Sequence, residues 1–206
     1  MQEAFVGGWA RESHLSTELL RSLHDLNHRF LDLTAARSDW APPAGAPWPA
    51  ELAGQVAILS APQRAAAAAC PYALFDLRFQ DDGHWRSSLQ HASAWRVADE
   101  PVIDDATVSF VRLALFYVWH AAAQGFAAEL LVGMTGNTAA AFRRLTVNQL
   151  PALVATEAKN LSARWSECIA FWSALTAAAS RADAAALRRV QLYGLQIAAA
   201  ARLPGD

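Results

Sequence analysis

Residues 106–132, ATVSFVRLALFYVWHAAAQGFAAELLV, decide the fold. Arg112, His120, Gln124 and Glu129 are the strongly polar residues of this stretch, so a helix built from it has no wide polar face and must be covered by other segments on most sides. Asp104 and Asp105 lie at its start, where carboxylates suit the positive end of a helix dipole, and Gly133 follows its last apolar residue, where a C′ glycine ends a helix. The pattern predicts one long, buried central helix. A membrane span is the rival reading. Against it, the uncharged window runs only from Leu113 to Ala128, short of the ~20 residues a bilayer requires, and it holds His120 and Gln124 in its middle.

The rest of the chain is composed to cover such a helix. With 206 residues, 54% of them hydrophobic, and with eight Trp and nine Phe, it can bury a sizeable core in one compact body or two small ones. A formal net charge of −2 gives no general attraction to nucleic acid or anionic lipid. A contact of that kind would need a local patch, for which the candidates are Arg143 and Arg144, or Arg181, Arg188 and Arg189; the same arginines also suit a solvated helix face. The opening residues MQEAFVGGWARES contain no apolar run of signal-peptide length, and Cys70 and Cys168 are the two cysteines. The expectation is a cytoplasmic protein with free thiols, both in a buried, small apolar role.

Outward from the central stretch, a first helix begins near His14. Leu19, Leu23, Leu26, Phe30 and Leu33 form its apolar stripe, with Arg21, Asp25, His28 and Asp32 opposite. His24 and His28 have the spacing of a metal pair, with Asp32 a turn further on, but no other His or Cys cluster suggests the remaining ligands, and a solvated face is the expected reading. Residues 38–49, with four prolines and a glycine, form a loop that Trp40 and Trp48 would pin to the body. Asp81, Asp82 and His84 admit a metal or acid/base reading, although Asp-Asp-Gly ahead of a helix is the signature of a turn and cap. Phe75, Leu77 and Phe79 alternate with polar residues over too short a run to separate strand from helix. After Thr146 the chain reads as helical through Trp165 and Trp172 to about Ala179, followed by a last helix over 182–202.

Two segments overlay without a gap at a separation of 86 positions. Leu59-Ser60-x-x-Gln63 falls on Leu145-Thr146-x-x-Gln149, each a capping box, and Phe75-Asp76-Leu77-Arg78-Phe79 falls on Leu161-Ser162-Ala163-Arg164-Trp165. Arg78 and Arg164 thus take equivalent places, each followed by an aromatic residue, where pairing with carboxylates across the halves or contact with a partner is expected. The pattern is that of a tandem duplication.

Each half resembles the D subunit of the bacterial flagellar master transcriptional activator (FlhD). In the first half the resemblance lies in Ser16-Thr17-Glu18-Leu19-Leu20, Asp25-Leu26-Asn27, Leu59-Ser60-x-x-Gln63 and Leu77-Arg78-Phe79-x-Asp81-Asp82-x-x-Trp85. In the second it runs from Leu113 through Leu131-Val132-Gly133-Met134-Thr135 and Leu145-Thr146-x-x-Gln149 to Ala163-Arg164-Trp165. These are capping and packing motifs, and they cover roughly two-thirds of the chain. The resemblance implies an all-α, compact bundle of two related halves, residues 14–96 and 105–176, around the central helix, with a C-terminal helix over 181–203. It also implies a non-enzymatic transcriptional regulator that works through a protein partner, a DNA-binding subunit, with weak or no DNA binding of its own and with self-association open. The family's subunit-bridging cysteine falls on Phe75 and Leu161, so no such bridge is expected, and the family's single unit is here present twice in one chain.

No nucleophile elbow, paired Cys-x-x-Cys, zinc-protease helix, phosphate loop or dinucleotide fingerprint occurs, and no cofactor or metal is expected. His120, with Gln124 one turn along, is the candidate for a ligand pocket beside the central helix, against the reading of a hydrogen-bonded core histidine. Three functional readings stand: a regulatory interaction protein, a carrier of a small hydrophobic ligand, and an enzyme whose clustered acid/base set the sequence does not display.

Overall fold

Short polar side chains set where several helices of this chain begin. The computed structural model describes residues 16–37, 50–92 and 104–201. In order these form α1 (Thr17–Ala35), α2 (Ala50–Ala57), α3 (Ala61–Ala68), β1 (Phe75–Asp76), α4 (Asp82–Ala92), α5 (Asp105–Ala123), α6 (Ala127–Val132), α7 (Gly136–Phe142), a 3-10 turn (Val147–Gln149) leading into α8 (Leu150–Glu157), β2 (Ser162–Ala163), α9 (Ile169–Ser180) and α10 (Ala184–Ala200). Ser16 and Asp104 cap α1 and α5, their side chains accepting from the amides of Leu19 at 3.1 Å and Thr107 at 2.8 Å. Thr135 caps α7 and Asp183 caps α10 in the same manner, each satisfying an amide that a helix start leaves without a partner. Capping boxes stand at Ser60 and Thr146, where the side-chain carbonyls of Gln63 and Gln149 accept from the cap amides at 2.8 and 2.9 Å.

The fold is all-α and compact, with β1 and β2 as a two-stranded antiparallel contact at its centre. Phe75 pairs with Ala163 and Asp76 with Ser162. Asp76 and Ser162 are 86 positions apart, the same separation as Ser60 and Thr146. Two runs of elements proceed in the same order on either side: α1, α2, α3, β1, α4, and then α5, α7, α8, β2, α9. The packing follows this order. α1 lies on α3 and α2 as α5 lies on α8 and α7, and α1 and α5 pack on each other. The last helix of each run crosses to the other, with α4 on α7 and α8, and α9 on α2 and α3. α6 and α10 have no counterpart among the described residues.

The core gathers at the strand contact. Phe30, Phe75 and Phe110, all buried, meet with ring centroids 5.1–6.1 Å apart, Phe75 and Phe110 edge to face. Buried Asn27 ties α1 to the segment before β1: its amide donates to the carbonyls of Ala68 and Tyr72, and its oxygen accepts from the Leu74 amide at 2.8 Å. The approach to β1 is thereby hydrogen-bonded without a longer ladder. The first stripe is as expected, with Leu19, Leu23, Leu26 and Phe30 buried.

The central helix is shorter and more open than its sequence suggests. Gly125, at φ 72°, breaks residues 106–132 into α5 and α6, because a left-handed residue cannot continue the helix; Gly133, at φ 76°, then ends α6 as anticipated. α5 is the one helix among the described residues long and apolar enough to cross a membrane, and half of it is buried inside the protein. Arg112, Leu113, Phe116, His120 and Ala123 are exposed. The continuous helix expected from Thr146 to Ala179 is also interrupted. After α8 and a 3-10 turn at Ala158–Asn160 the chain extends to pair with β1, and Trp165 takes φ 54° before α9 begins. A non-local partner, β1, holds the backbone out of helix there. Cys70 is buried and its thiol is pushed up to about 12 by burial, whereas Cys168 is only partly buried, packed against the core with Sγ 3.7 Å from the Tyr193 hydroxyl, and fills the expected apolar role in part. Trp40, Trp48 and the Pro-rich loop lie outside the described residues.

Candidate functional site

α4 is the element where polar chemistry concentrates. It starts from the expected turn: the Asp81 carboxylate accepts from the His84 amide at 2.8 Å, and this bond, with help from Arg78 at 2.5 Å, holds its carboxyl below the usual range. Asp82, the first residue of α4, reaches across to the start of α7. It accepts from the hydroxyls of Thr135 and Thr138, the latter at 2.8 Å, and from the Asn137 amide at 2.8 Å. These bonds, the one from Thr135 foremost, depress its pKa. Asp81, Asp82 and His84 therefore diverge: one caps, one clamps two helices, and the third turns to α8.

His84 Nε2 lies 2.7 Å from Glu157 Oε2. Glu157, at 1% exposure, also accepts from the Ser88 hydroxyl and the Asn160 amide, each at 2.7 Å. The Thr156 hydroxyl adds a longer contact at 3.5 Å, so both oxygens of this buried side chain are hydrogen-bonded. The ring beside it is partly accessible and stands edge-on to Trp85. Sequence reading missed this cluster because Glu157 and His84 are 73 positions apart; its one local sign was a lone acid at the end of the apolar segment Leu150–Glu157. At the matching positions of the other run the residues are apolar. At the separation of 86 positions His84 and Ser88 fall on Ala170 and Ala174, and Glu157 falls on Pro71.

On its other face α4 forms an open groove of about 570 Å³ with α7. Trp85, Leu89, Ala140, Ala141 and Leu145 make its apolar lining, and Arg86 and Arg144 are exposed at its rim. Trp85 is fully buried, stacked on Phe79 and packed edge-on to Phe142, with its indole N–H donating to the Arg78 carbonyl at 3.0 Å.

The remaining residues singled out from sequence are dispersed. His120 and Gln124 are both exposed and lie 2.9 Å apart, Nε2 to Nε2; His120 is not a core histidine, because the face of α5 that carries it looks outward. It lines an open groove of about 850 Å³ between α1 and α5, together with Leu113, Phe116 and Tyr117. His28 lies 3.8 Å from Asp32, which also pairs with Arg64 at 2.6 Å, and no three-residue metal cluster is present among the described residues. Arg78 is a surface residue paired with Asp81, whereas Arg164 is buried, donates to the Leu131 carbonyl at 3.3 Å and lies over the Trp165 ring. Arg143 and Arg144 end α7, Arg181 ends α9, and Arg188 and Arg189 lie exposed on α10. Comparison with known protein families, with characterised proteins and with solved structures finds no match to this chain.

Proposed function

We propose that this chain is a non-enzymatic, cytoplasmic regulatory protein: a tandem duplication in which residues 14–96 and 105–176 form, within one chain, the equivalent of an FlhD-like dimer. It works through a protein partner that provides most of the contact with DNA. The pairing of Asp76 with Ser162 carries this reading. Residues at the same place in two repeats that pair with each other in an antiparallel ladder lie on a local two-fold axis, which is the relationship between identical subunits in an isologous contact. The crossing of α4 and α9 to the opposite run supports it further, since exchange of an element between like units is a low-cost route to a dimer.

Binding of DNA by the chain alone is expected to be weak. It holds 19 acidic against 17 basic residues, and its candidate arginines are spread over α7, α9 and α10. Affinity purification from the native host, read by mass spectrometry, should recover a DNA-binding partner. A mobility-shift titration at physiological salt should then retard promoter DNA only when that partner is added. Submicromolar, sequence-specific retardation by the isolated chain would refute the proposal.

A further inference from the structure

We infer that the groove between α4 and α7 receives an acidic, amphipathic helix of a protein partner. The inference rests on the partner-dependent reading above and names that partner's chemistry. Asp82, Trp85, Arg86, Leu89 and Gln90 line the groove from α4. Their spacing is one face of a helix, extending about 12 Å at 1.5 Å per residue. From α7 and its end come Asn137, Ala140, Ala141 and Arg144. Two neighbouring helices with small residues between them leave a trough, and a third helix laid in such a trough is a common form of peptide recognition.

Charge selects the occupant. Arg144 forms no salt bridge among the described residues, and Arg86, one turn from Asp82, acts on it only through space, because that one acid of the lining is engaged by three donors from the α7 start. A partner with Leu or Phe at helical spacing toward the floor, and Glu or Asp toward the rim, would meet both the apolar lining and the two guanidiniums. A nucleic-acid strand is the poorer fit. Trp85 is buried face and edge by Phe79 and Phe142, so no aromatic platform is left for a base.

The matching contact of the other run shows that the fold does not require an open groove here. Between α2 and α9, Gln55 spans the gap, with its amide donating to the Ser173 hydroxyl at 3.3 Å and its oxygen accepting from Thr176 at 3.3 Å. The Gln63 amide closes one end on the Ser180 carbonyl at 2.8 Å. Ala141, at the position matching Gln55, is too short to bridge to α4.

A displayed library of short helical peptides, selected against the full chain, tests this directly. Enriched peptides should carry apolar residues at i, i+3 or i+4, and i+7, flanked by acids. Their affinity should fall at least about tenfold for the Arg86→Glu/Arg144→Glu variant. It should recover when the peptide acids are changed to lysine. Arg143→Glu, which alters an exposed arginine at the C-cap of α7, outside the lining, should leave binding unchanged, and this separates the groove from general charge attraction. Ala141→Trp should abolish binding; if that variant does not fold, the surface arginine pair decides. Selection of no peptide, or of peptides indifferent to the Arg86/Arg144 reversal, overturns the inference. So does an oligonucleotide whose binding depends on the two arginines while peptide binding does not. Recovery of a host partner whose binding survives the reversal would leave the regulatory reading intact and remove only the groove.

Discussion

Gly194 of α10 lies so close to Tyr72 that a Cβ added to it would fall 2.0 Å from the tyrosine hydroxyl oxygen. Tyr72 is buried against Trp165 and Phe171, with its hydroxyl donating to the Val190 carbonyl at 3.4 Å, so it cannot retreat. Gly194→Ala gains helix propensity in isolation, but here it must push α10 off the body. Overpacking of this kind costs about 1–3 kcal/mol. A lower melting temperature, with α10 cut early in limited proteolysis, is the expected result; an unchanged or higher melting temperature would show that α10 docks otherwise.

Gly133 faces a second constraint. Its backbone is left-handed at φ 76°, and an added Cβ would stand 2.1 Å from the buried Arg164 guanidinium. Gly133→Ala should therefore destabilise by about 2 kcal/mol or more, from backbone and contact together. Truncating Arg164 removes the contact but leaves the backbone cost. The double substitution Gly133→Ala/Arg164→Ala should be less destabilised than the sum of the two singles in urea titrations, and strict additivity would contradict the close approach.

Local chemistry was legible in the sequence, whereas contacts that depend on distant pairing were not. The caps at Ser60 and Thr146, the glycine end at Gly133 and the stripe from Leu19 to Phe30 each depend on residues within a turn or two of one another, and the structure has them all. The break at residues 158–168 depends on β1, and a long apolar run such as Ala106–Val132 hides a left-handed glycine at its middle. The groove lay beyond reach for the same reason: it exists because α4 crosses to α7, and the exposed arginines that flank it look in sequence like any solvated pair.

The clamp from Asp82 to the start of α7 predicts a pH dependence. Its folded-state pKa is depressed, chiefly by the Thr135 hydroxyl, so its stabilisation is present above the ordinary carboxylate value of ~3.9 and is lost as pH falls through the folded value. Asp82→Asn presents an amide to the Asn137 donor and should cost about 1–3 kcal/mol at neutral pH. The variant should also lose less stability than the wild type between pH 7 and about pH 3, because one of the acid-sensitive groups is gone. Parallel acid limbs in thermal melts of the two proteins would contradict the clamp.

The two capping boxes should be worth similar amounts despite serving different turns, an α-helix at Ser60 and a 3-10 start at Thr146. Ser60→Ala and Thr146→Ala should each cost about 1 kcal/mol. Gln63→Ala should exceed Ser60→Ala, since the Gln63 amide also holds the Ser180 carbonyl. Chemical denaturation of the three variants checks the order.

The His84–Glu157 pair separates a requirement of the fold from a feature of one side only. His84→Ala removes one hydrogen-bond partner of buried Glu157 and leaves Ser88, Asn160 and Thr156 on it; a buried polar group that loses a partner costs about 1–3 kcal/mol. The three remaining donors place the expected loss at the lower end of that range, about 1–2 kcal/mol. Replacing the cluster together, His84→Ala/Ser88→Ala/Glu157→Leu, copies the apolar character of Ala170, Ala174 and Pro71 at the matching places and should recover most of the loss. Equilibrium unfolding of the single and triple variants reads the difference. If the triple variant is as unstable as His84→Ala, the polar cluster is part of what makes α4 seat on α8, and the likeness of the two sides stops short of that contact.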